Sequence, residues 1–60
     1  MEKLLLTAEE TAEVLGIGRS KVYELLRAGT IQSVRIGACR RIPAAAIADY
    51  VERLRREAAA

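Results

Sequence analysis

The hydrophobic positions of this chain follow helical spacing in two segments and strand spacing between them. Val22, Leu25 and Leu26 fall within about 100° of one another on a helical wheel, which predicts a buried stripe on a helix from about Arg19 to Ala28. A second set repeats at helical spacing on the last helix and should cover the core: Ile47, Tyr50, Val51 and Leu54. Between these segments, residues 31–36 and 40–42 are rich in β-branched residues and predict two strands.

Capping and turn residues set the boundaries of the helices. Thr7-Ala8-Glu9-Glu10 matches a capping box, with Leu6 placed for a hydrophobic staple, and predicts a first helix that ends at about Leu15. The Gly16-Ile17-Gly18 turn separates it from the second helix, which should stop at Gly29. Pro43 is expected to open the last helix, where its missing N–H has no cost.

The two strands are predicted to form a hairpin. Val34, Arg35 and Ile36 should alternate between the inside and the outside of the sheet, and Gly37-Ala38-Cys39 should form the loop, with Gly37 supplying a positive φ. A two-stranded hairpin is marginal alone, so it must pack on the helices. On the last helix, Asp49/Arg53 and Glu52/Arg56 are spaced for weak i,i+4 pairs.

The predicted fold is therefore mainly α with a small β-hairpin. In order it has a helix, a turn, a second helix placed for recognition, a two-stranded wing and a C-terminal helix, which is a winged helix-turn-helix. Sixty residues form one domain over residues 1–60, with a core from about residue 4 to residue 54.

Charge is unevenly distributed, although the net charge is only +2. Residues 1–18 carry one lysine and four glutamates, a net charge of −3, and residues 42–60 carry three basic and three acidic residues. Residues 19–41 carry six basic residues and one glutamate, a net charge of +5. Such an excess indicates a surface for a polyanion, with a solvated, patchy surface as the alternative.

Composition argues against several other classes. No apolar run is long enough for a membrane span or a signal peptide, so we expect a cytoplasmic protein. One cysteine and no histidine exclude an internal disulfide and a structural zinc site, and Cys39 is expected to be a small loop residue. No catalytic set is present, since Ser20 has no histidine base. We therefore expect no enzyme, no cofactor, no metal and no small-molecule substrate.

The residues Ala12, Gly16, Ile17, Val22 and Leu25 resemble the general helix-turn-helix pattern. The whole chain is similar to a narrower family, the excisionase-type, MerR-like DNA-binding domain. The similarity covers roughly residues 4–54 and is carried by LLTAEETAEVLGIGRSKVYELLRAG, VRIG, RRIP and AIADYVERL, in that order and spacing. The chain differs from the family at Gly18, where Ser or Thr usually caps the second helix, and at Ala38-Cys39, where basic residues are common.

The resemblance implies a protein that binds double-stranded DNA, with the second helix in the major groove and the wing on the adjacent backbone or minor groove. By position, the implied DNA-binding residues are Arg19, Ser20, Lys21, Tyr23 and Arg27 on the helix and Arg35, Arg40 and Arg41 on the wing. Family members include excisionases of phages and integrative elements, which bind DNA cooperatively and bias a site-specific recombinase (integrase) toward excision. We therefore expect an excisionase that is encoded by a bacterium or a phage and is associated with the nucleoid. The alternative is a small transcriptional regulator of the same fold.

Several residues keep two interpretations. Ser20 contacts DNA or helps to cap the helix, and Tyr23 donates to a phosphate or is a half-buried core ring. Glu24 accepts from cytosine or holds Arg27 or Lys21 in place. Because Arg40 and Arg41 alternate along a strand, at most one should face DNA well. Tyr50 is expected in the core, and the amphipathic last helix leaves a protein-interaction module as an alternative function.

Overall fold

The computed structural model describes residues 3–59, so residues 1, 2 and 60 of the predicted domain lie outside the described range. The elements follow in this order: β1 (Leu5–Leu6), α1 (Ala8–Leu15), α2 (Arg19–Arg27), β2 (Val34–Ile36), β3 (Cys39–Pro43) and α3 (Ala44–Ala59). Three helices and an antiparallel hairpin confirm the predicted winged helix-turn-helix. In the part of the chain described, no helix has the length and apolar character that a bilayer span needs.

The capping box at the start of α1 is present as predicted. The backbone N–H of Glu10 donates to Oγ1 of Thr7 at 3.1 Å, and the backbone N–H of Thr7 donates to Oε1 of Glu10 at 2.9 Å. Gly16 ends the helix with φ of 69°, a left-handed conformation that favours glycine, and its N–H bonds to the carbonyls of Ala12 and Glu13. These local bonds explain why α1 has the predicted bounds.

α2 also lies where its sequence pattern places it. Gly18 precedes it in an extended conformation and provides no side-chain cap, and the helix ends at Arg27, one residue before the predicted end. Val22 and Leu26 are buried, and Leu25 is half-buried against them. The predicted stripe therefore holds α2 to the core.

The sheet has three strands in the order β1-β3-β2, not the two strands that were predicted. Leu6 pairs with Ile42, and the N–H of Ala44 donates to the carbonyl of Leu4 at 2.9 Å. The first strand of the hairpin was predicted over residues 31–36, but β2 covers only Val34–Ile36. Ile31 is buried in the core and belongs to the loop before β2. The added strand β1 fastens the hairpin to the segment that leads into α1.

Both aliphatic residues of β2 lie on the outer face of the sheet. Val34 faces Arg41 and Ile36 faces Cys39 across the hairpin, while Ile42, the next residue along β3, is buried in the core. Since neighbouring residues of a strand point to opposite faces, Val34 and Ile36 lie on the outer face, where both are exposed. Cys39 belongs to β3, so the loop is the two-residue turn Gly37-Ala38.

The last helix starts one residue later than predicted. Pro43 is the final residue of β3, and α3 begins at Ala44. Ile47 is buried and Tyr50 packs against the core as predicted, but Val51 and Leu54 remain exposed. The two predicted i,i+4 pairs are replaced, because Arg53 donates to the carbonyl of Thr30 and Glu52 pairs with Arg55 at 3.5 Å.

One cluster of buried aliphatic residues joins the three helices to strand β3. The buried hydrophobic side chains are Ala12, Val22, Leu26, Ile31, Ile42 and Ile47. Thr11 is also fully buried, and its hydroxyl donates to the carbonyl of Thr7 at 2.8 Å, which satisfies its polar group. Helix α2 and strand β3 are thereby fixed relative to one another.

Candidate nucleic-acid interface

α2 presents its polar residues on the side opposite its buried stripe. At 100° per residue, Ser20, Glu24 and Arg27 lie at the centre of this exposed face, while Lys21 and Tyr23 lie on opposite flanks. All five residues predicted to bind DNA from this helix are exposed: Arg19, Ser20, Lys21, Tyr23 and Arg27. Tyr23 is 44% exposed, so its ring lies at the surface and is not a core ring.

Arg19 is the one predicted site residue of α2 that forms an ion pair within the described residues. Its guanidinium lies 3.8 Å from a carboxylate oxygen of Glu9, in the first turn of α1. Both side chains are largely exposed, so the pair is accessible to solvent and to a ligand. Glu9 was not among the predicted site residues, because nothing in the local sequence brings the starts of the two helices together.

The arginines of the wing divide between the two faces of the hairpin. Arg35 faces Arg40 across the strands, and both lie on the face that carries buried Ile42. Arg41 lies on the opposite face, is half-buried, and donates to the carbonyl of Arg40 at 2.9 Å. The two neighbouring arginines of β3 therefore point in different directions, as their alternation along a strand predicted.

A hydrogen bond between side chains positions Arg40. Its Nε donates to the hydroxyl of Ser33, the residue before β2, at 3.0 Å. Ser33 was not among the predicted site residues. The available signal was its position directly before β2, the strand that pairs with the strand of Arg40. Arg40 remains exposed with this bond in place.

A cleft of about 230 Å³ separates α2 from β3 and the start of α1. Its lining residues are Thr7, Ala8, Glu9, Tyr23, Leu26, Arg40, Arg41 and Ile42. The structure thus brings Tyr23 of α2 together with two wing arginines. Lys21 lies on the opposite flank of α2, away from this cleft, and Arg27 lies beside Glu24 in a separate shallow depression.

Comparison with known proteins agrees with this architecture. A family model described as a helix-turn-helix domain matches residues 5–55. A probable excisionase of Saccharopolyspora erythraea is 58% identical over 52 residues, and an excisionase of Streptomyces ambofaciens is 42% identical over 48 residues. The chain belongs to the excisionase-type helix-turn-helix family.

The match covers a different share of each relative of this excisionase-type chain. The matched segment covers 87% of this chain but 53% of the Saccharopolyspora protein, and 80% of this chain against 77% of the Streptomyces protein. The chain thus spans about half the length of the first relative. No solved structure matches it significantly.

Proposed function

We propose that this excisionase-type domain binds a specific sequence of double-stranded DNA and does so without catalysing a reaction. The proposal rests on one observation: the exposed polar face of α2, with its basic residues, lies next to the wing arginines across the cleft between α2 and β3. α2 would lie in the major groove, and the wing would contact the adjacent backbone or minor groove.

The side chains divide into two tasks in this proposal. Arg19 and Ser20, in the first turn of α2, are placed to reach base edges, and arginine to guanine is the commonest specific contact. Lys21, Tyr23 and Arg27 on the helix would contact phosphates. On the wing, Arg35 and at most one of Arg40 and Arg41 would do so, because Arg40 and Arg41 lie on opposite faces of the hairpin. Phosphate contacts would supply most of the affinity, and base contacts would supply the choice of sequence.

The small size of the domain implies that it needs help to occupy DNA. One such module buries only about 600–1,000 Å² of protein surface, so a single copy should bind weakly. We therefore infer binding to repeated sites or binding together with a partner. Because both relatives are named as excisionases, we infer that this partner is a site-specific recombinase (integrase) of a phage or integrative element. The domain itself would then be associated with the nucleoid in the cytoplasm of a bacterium.

Fluorescence anisotropy with labelled duplexes tests the proposal. Duplexes from the DNA around the gene should bind more tightly than a scrambled duplex, and log K should fall steeply as log salt rises. Equal binding to both duplexes would contradict sequence specificity, and a folded chain that binds neither duplex at low salt would contradict DNA binding altogether.

The Arg19→Ala variant tests the assignment of one base contact. We expect a loss of about 1–3 kcal/mol in affinity for the preferred duplex and relaxed specificity at one base pair. Arg56→Ala, which removes the same charge from an exposed position on α3, is the matched control and should leave specificity unchanged. If Arg19→Ala lowers the affinity for specific and scrambled duplexes equally, Arg19 contacts a phosphate and not a base.

A further inference from the structure

A second concave surface lies between α1 and α3, and within residues 3–59 neither α2 nor the hairpin contributes to it. This surface, here called the α1–α3 groove, is open and encloses about 710 Å³. Its lining residues are Lys3, Leu6, Glu10, Glu13, Val14, Ala44, Ile47, Ala48 and Val51. Aliphatic side chains form most of its floor and one wall, and Val14 on the rim is 64% exposed.

The second half of α3 extends beyond the body of the domain. Every residue from 51 to 59, here called the α3 arm, is exposed, although the first half of the same helix packs on the core. Val51 and Leu54 are 38% and 45% exposed and continue the apolar stripe of Ile47 along the arm. A short helical segment gains most of its stability from packing an apolar face, which the arm lacks in a single copy.

The groove and the arm carry complementary charges. Glu10 and Glu13 of α1 line the groove together with Lys3, which pairs with Glu10. Glu13 is therefore the acidic residue of this lining that forms no ion pair among residues 3–59. The arm carries three arginines against two glutamates. Arg55 follows Val51 by four positions and Ala48 by seven, so it continues the groove-lining face of α3 into the arm.

We propose that this face binds a second copy of the chain across a two-fold axis near Val51. The two α3 helices run antiparallel, and each arm covers the groove of the other copy. Leu54 then packs on the aliphatic wall, and Arg55 approaches Glu13 of the second copy. In a two-fold arrangement the same face of each copy contacts the other copy, and the assembly closes at a dimer. Both apolar stripes are then covered.

The size of this face sets the strength of the dimer. A standard interface buries about 800 Å² per partner, whereas the whole described surface of this chain is 4622 Å². The groove and a two-turn arm are smaller than a standard interface. We therefore expect a dissociation constant in the micromolar to millimolar range. Because the basic face of α2 lies outside the groove, dimerisation does not depend on the proposed DNA binding.

Sedimentation equilibrium without DNA tests the proposal, over concentrations from roughly 10 µM to roughly 2 mM. The unaltered chain should dimerise, and Leu54→Lys should weaken the dimer by about tenfold or more. Glu13→Arg or Arg55→Glu alone should weaken it by about two- to fivefold, and the two together should restore it. Glu24→Arg reverses an exposed acid of α2 and should have no effect. A monomer at every concentration would overturn the proposal and leave the groove to another protein.

Disulfide trapping tests the two-fold axis directly. In a Cys39→Ser background, Val51→Cys places one thiol near its own counterpart and should oxidise to a covalent dimer. Asp49→Cys, which points away from the groove, should oxidise much more slowly. Equal trapping at both positions would overturn the arrangement. DNA binding by monomeric Leu54→Lys, measured by anisotropy, separates a failure of this proposal from a failure of DNA binding.

Discussion

At the scale of single residues, Glu9 and Arg19 couple the first turns of two helices. Positive charge near a helix N-terminus is unfavourable in the helix dipole, and Arg19 opens α2 with no acidic residue in its own first turn. The Glu9 carboxylate, 3.8 Å away, offsets that cost from the neighbouring helix. It also restricts where the Arg19 guanidinium lies before any ligand arrives.

Replacing Glu9 should therefore change specificity as well as affinity. Glu9→Gln removes a negative charge near the proposed DNA surface, so affinity for a scrambled duplex should rise. Loss of the ion pair should at the same time lower the ratio of specific to scrambled affinity, by up to about fivefold for an exposed pair. Anisotropy titrations of both duplexes measure that ratio.

Glu57→Gln provides the matched control for Glu9→Gln, because it makes the same charge change on the α3 arm. The Glu57→Gln variant should have the same ratio of specific to scrambled affinity as the unaltered chain. An identical ratio in both variants would show that Glu9 does not position Arg19.

At the scale of elements, α1 depends on its capping box for its start. The Thr7 hydroxyl satisfies one N–H of the first turn, and no other side chain among the described residues takes that role. Thr7→Ala should lower the free energy of unfolding by about 1 kcal/mol, within a range of about 0.5–2 kcal/mol. Chemical denaturation followed by circular dichroism measures the loss.

Ser20→Ala is the control for Thr7→Ala, since Ser20 lies exposed in α2 and accepts no capping hydrogen bond. We expect it to change the free energy of unfolding by less than about 0.5 kcal/mol. A Thr7→Ala variant as stable as Ser20→Ala would contradict the importance of the cap.

The other half of the capping box makes stability depend on pH. The Lys3 ammonium, which donates to the Glu10 carboxylate, and the N–H of Thr7 hold the pKa of Glu10 below its usual value of 4.5. A lowered pKa in the folded state stabilises the fold above pH 4.5, and this contribution is lost as the pH falls through the lowered pKa. Thermal unfolding between pH 7 and pH 3 should show a smaller decline for Glu10→Gln than for Glu13→Gln. Equal declines would contradict this role of Glu10.

The elements that the sequence predicts well are those whose signals are local. The capping box and Gly16 define α1 from four or five neighbouring residues, and the stripe of Val22 and Leu26 defines α2. Strand β1 escaped prediction because two residues carry no measurable period, and its partner lies more than 35 residues away. The local sequence gives no register for that pairing.

The faces of the wing show the same limit. Alternation predicts that Val34 and Ile36 share a face, and they do. Which face is buried depends on the register against β3, and a shift of one residue exchanges the two faces. The inward position belongs to Ile42, so Val34 and Ile36 lie on the outer face. The roles of the wing arginines in DNA binding remain predictions.

At the scale of the whole molecule, a small core carries most of the stability. Ile31, Ile42 and Val22 are almost completely buried, and they connect the loop after α2, the sheet and α2 itself. A domain of this length buries only about 60% of its unfolded surface, so its stability margin is thin. Any cavity in this cluster should affect the whole fold.

Truncation of Ile31 tests that expectation. Ile31→Ala should cost about 2–5 kcal/mol, which is enough to unfold much of a marginal domain, and Ile31→Val should cost about 0.5–1.5 kcal/mol. Chemical denaturation measures both. Val34→Ala, on the exposed outer face of the wing, should cost far less than Ile31→Ala. Similar costs at the buried and exposed positions would contradict a core centred on Ile31.

The pairing of β1 with β3 has a consequence for the order in which the chain can fold. Leu6 pairs with Ile42, 36 positions later in the sequence, so the three-stranded sheet cannot form until the chain has been synthesised to Ile42. At about 5–20 residues per second, β3 follows the end of α2 by roughly one to three seconds. During that interval the first two helices have neither Ile42 nor Ile47 to pack against. The contacts that hold α2 against the sheet and the last helix can therefore form only after β3 and the start of α3 have been synthesised.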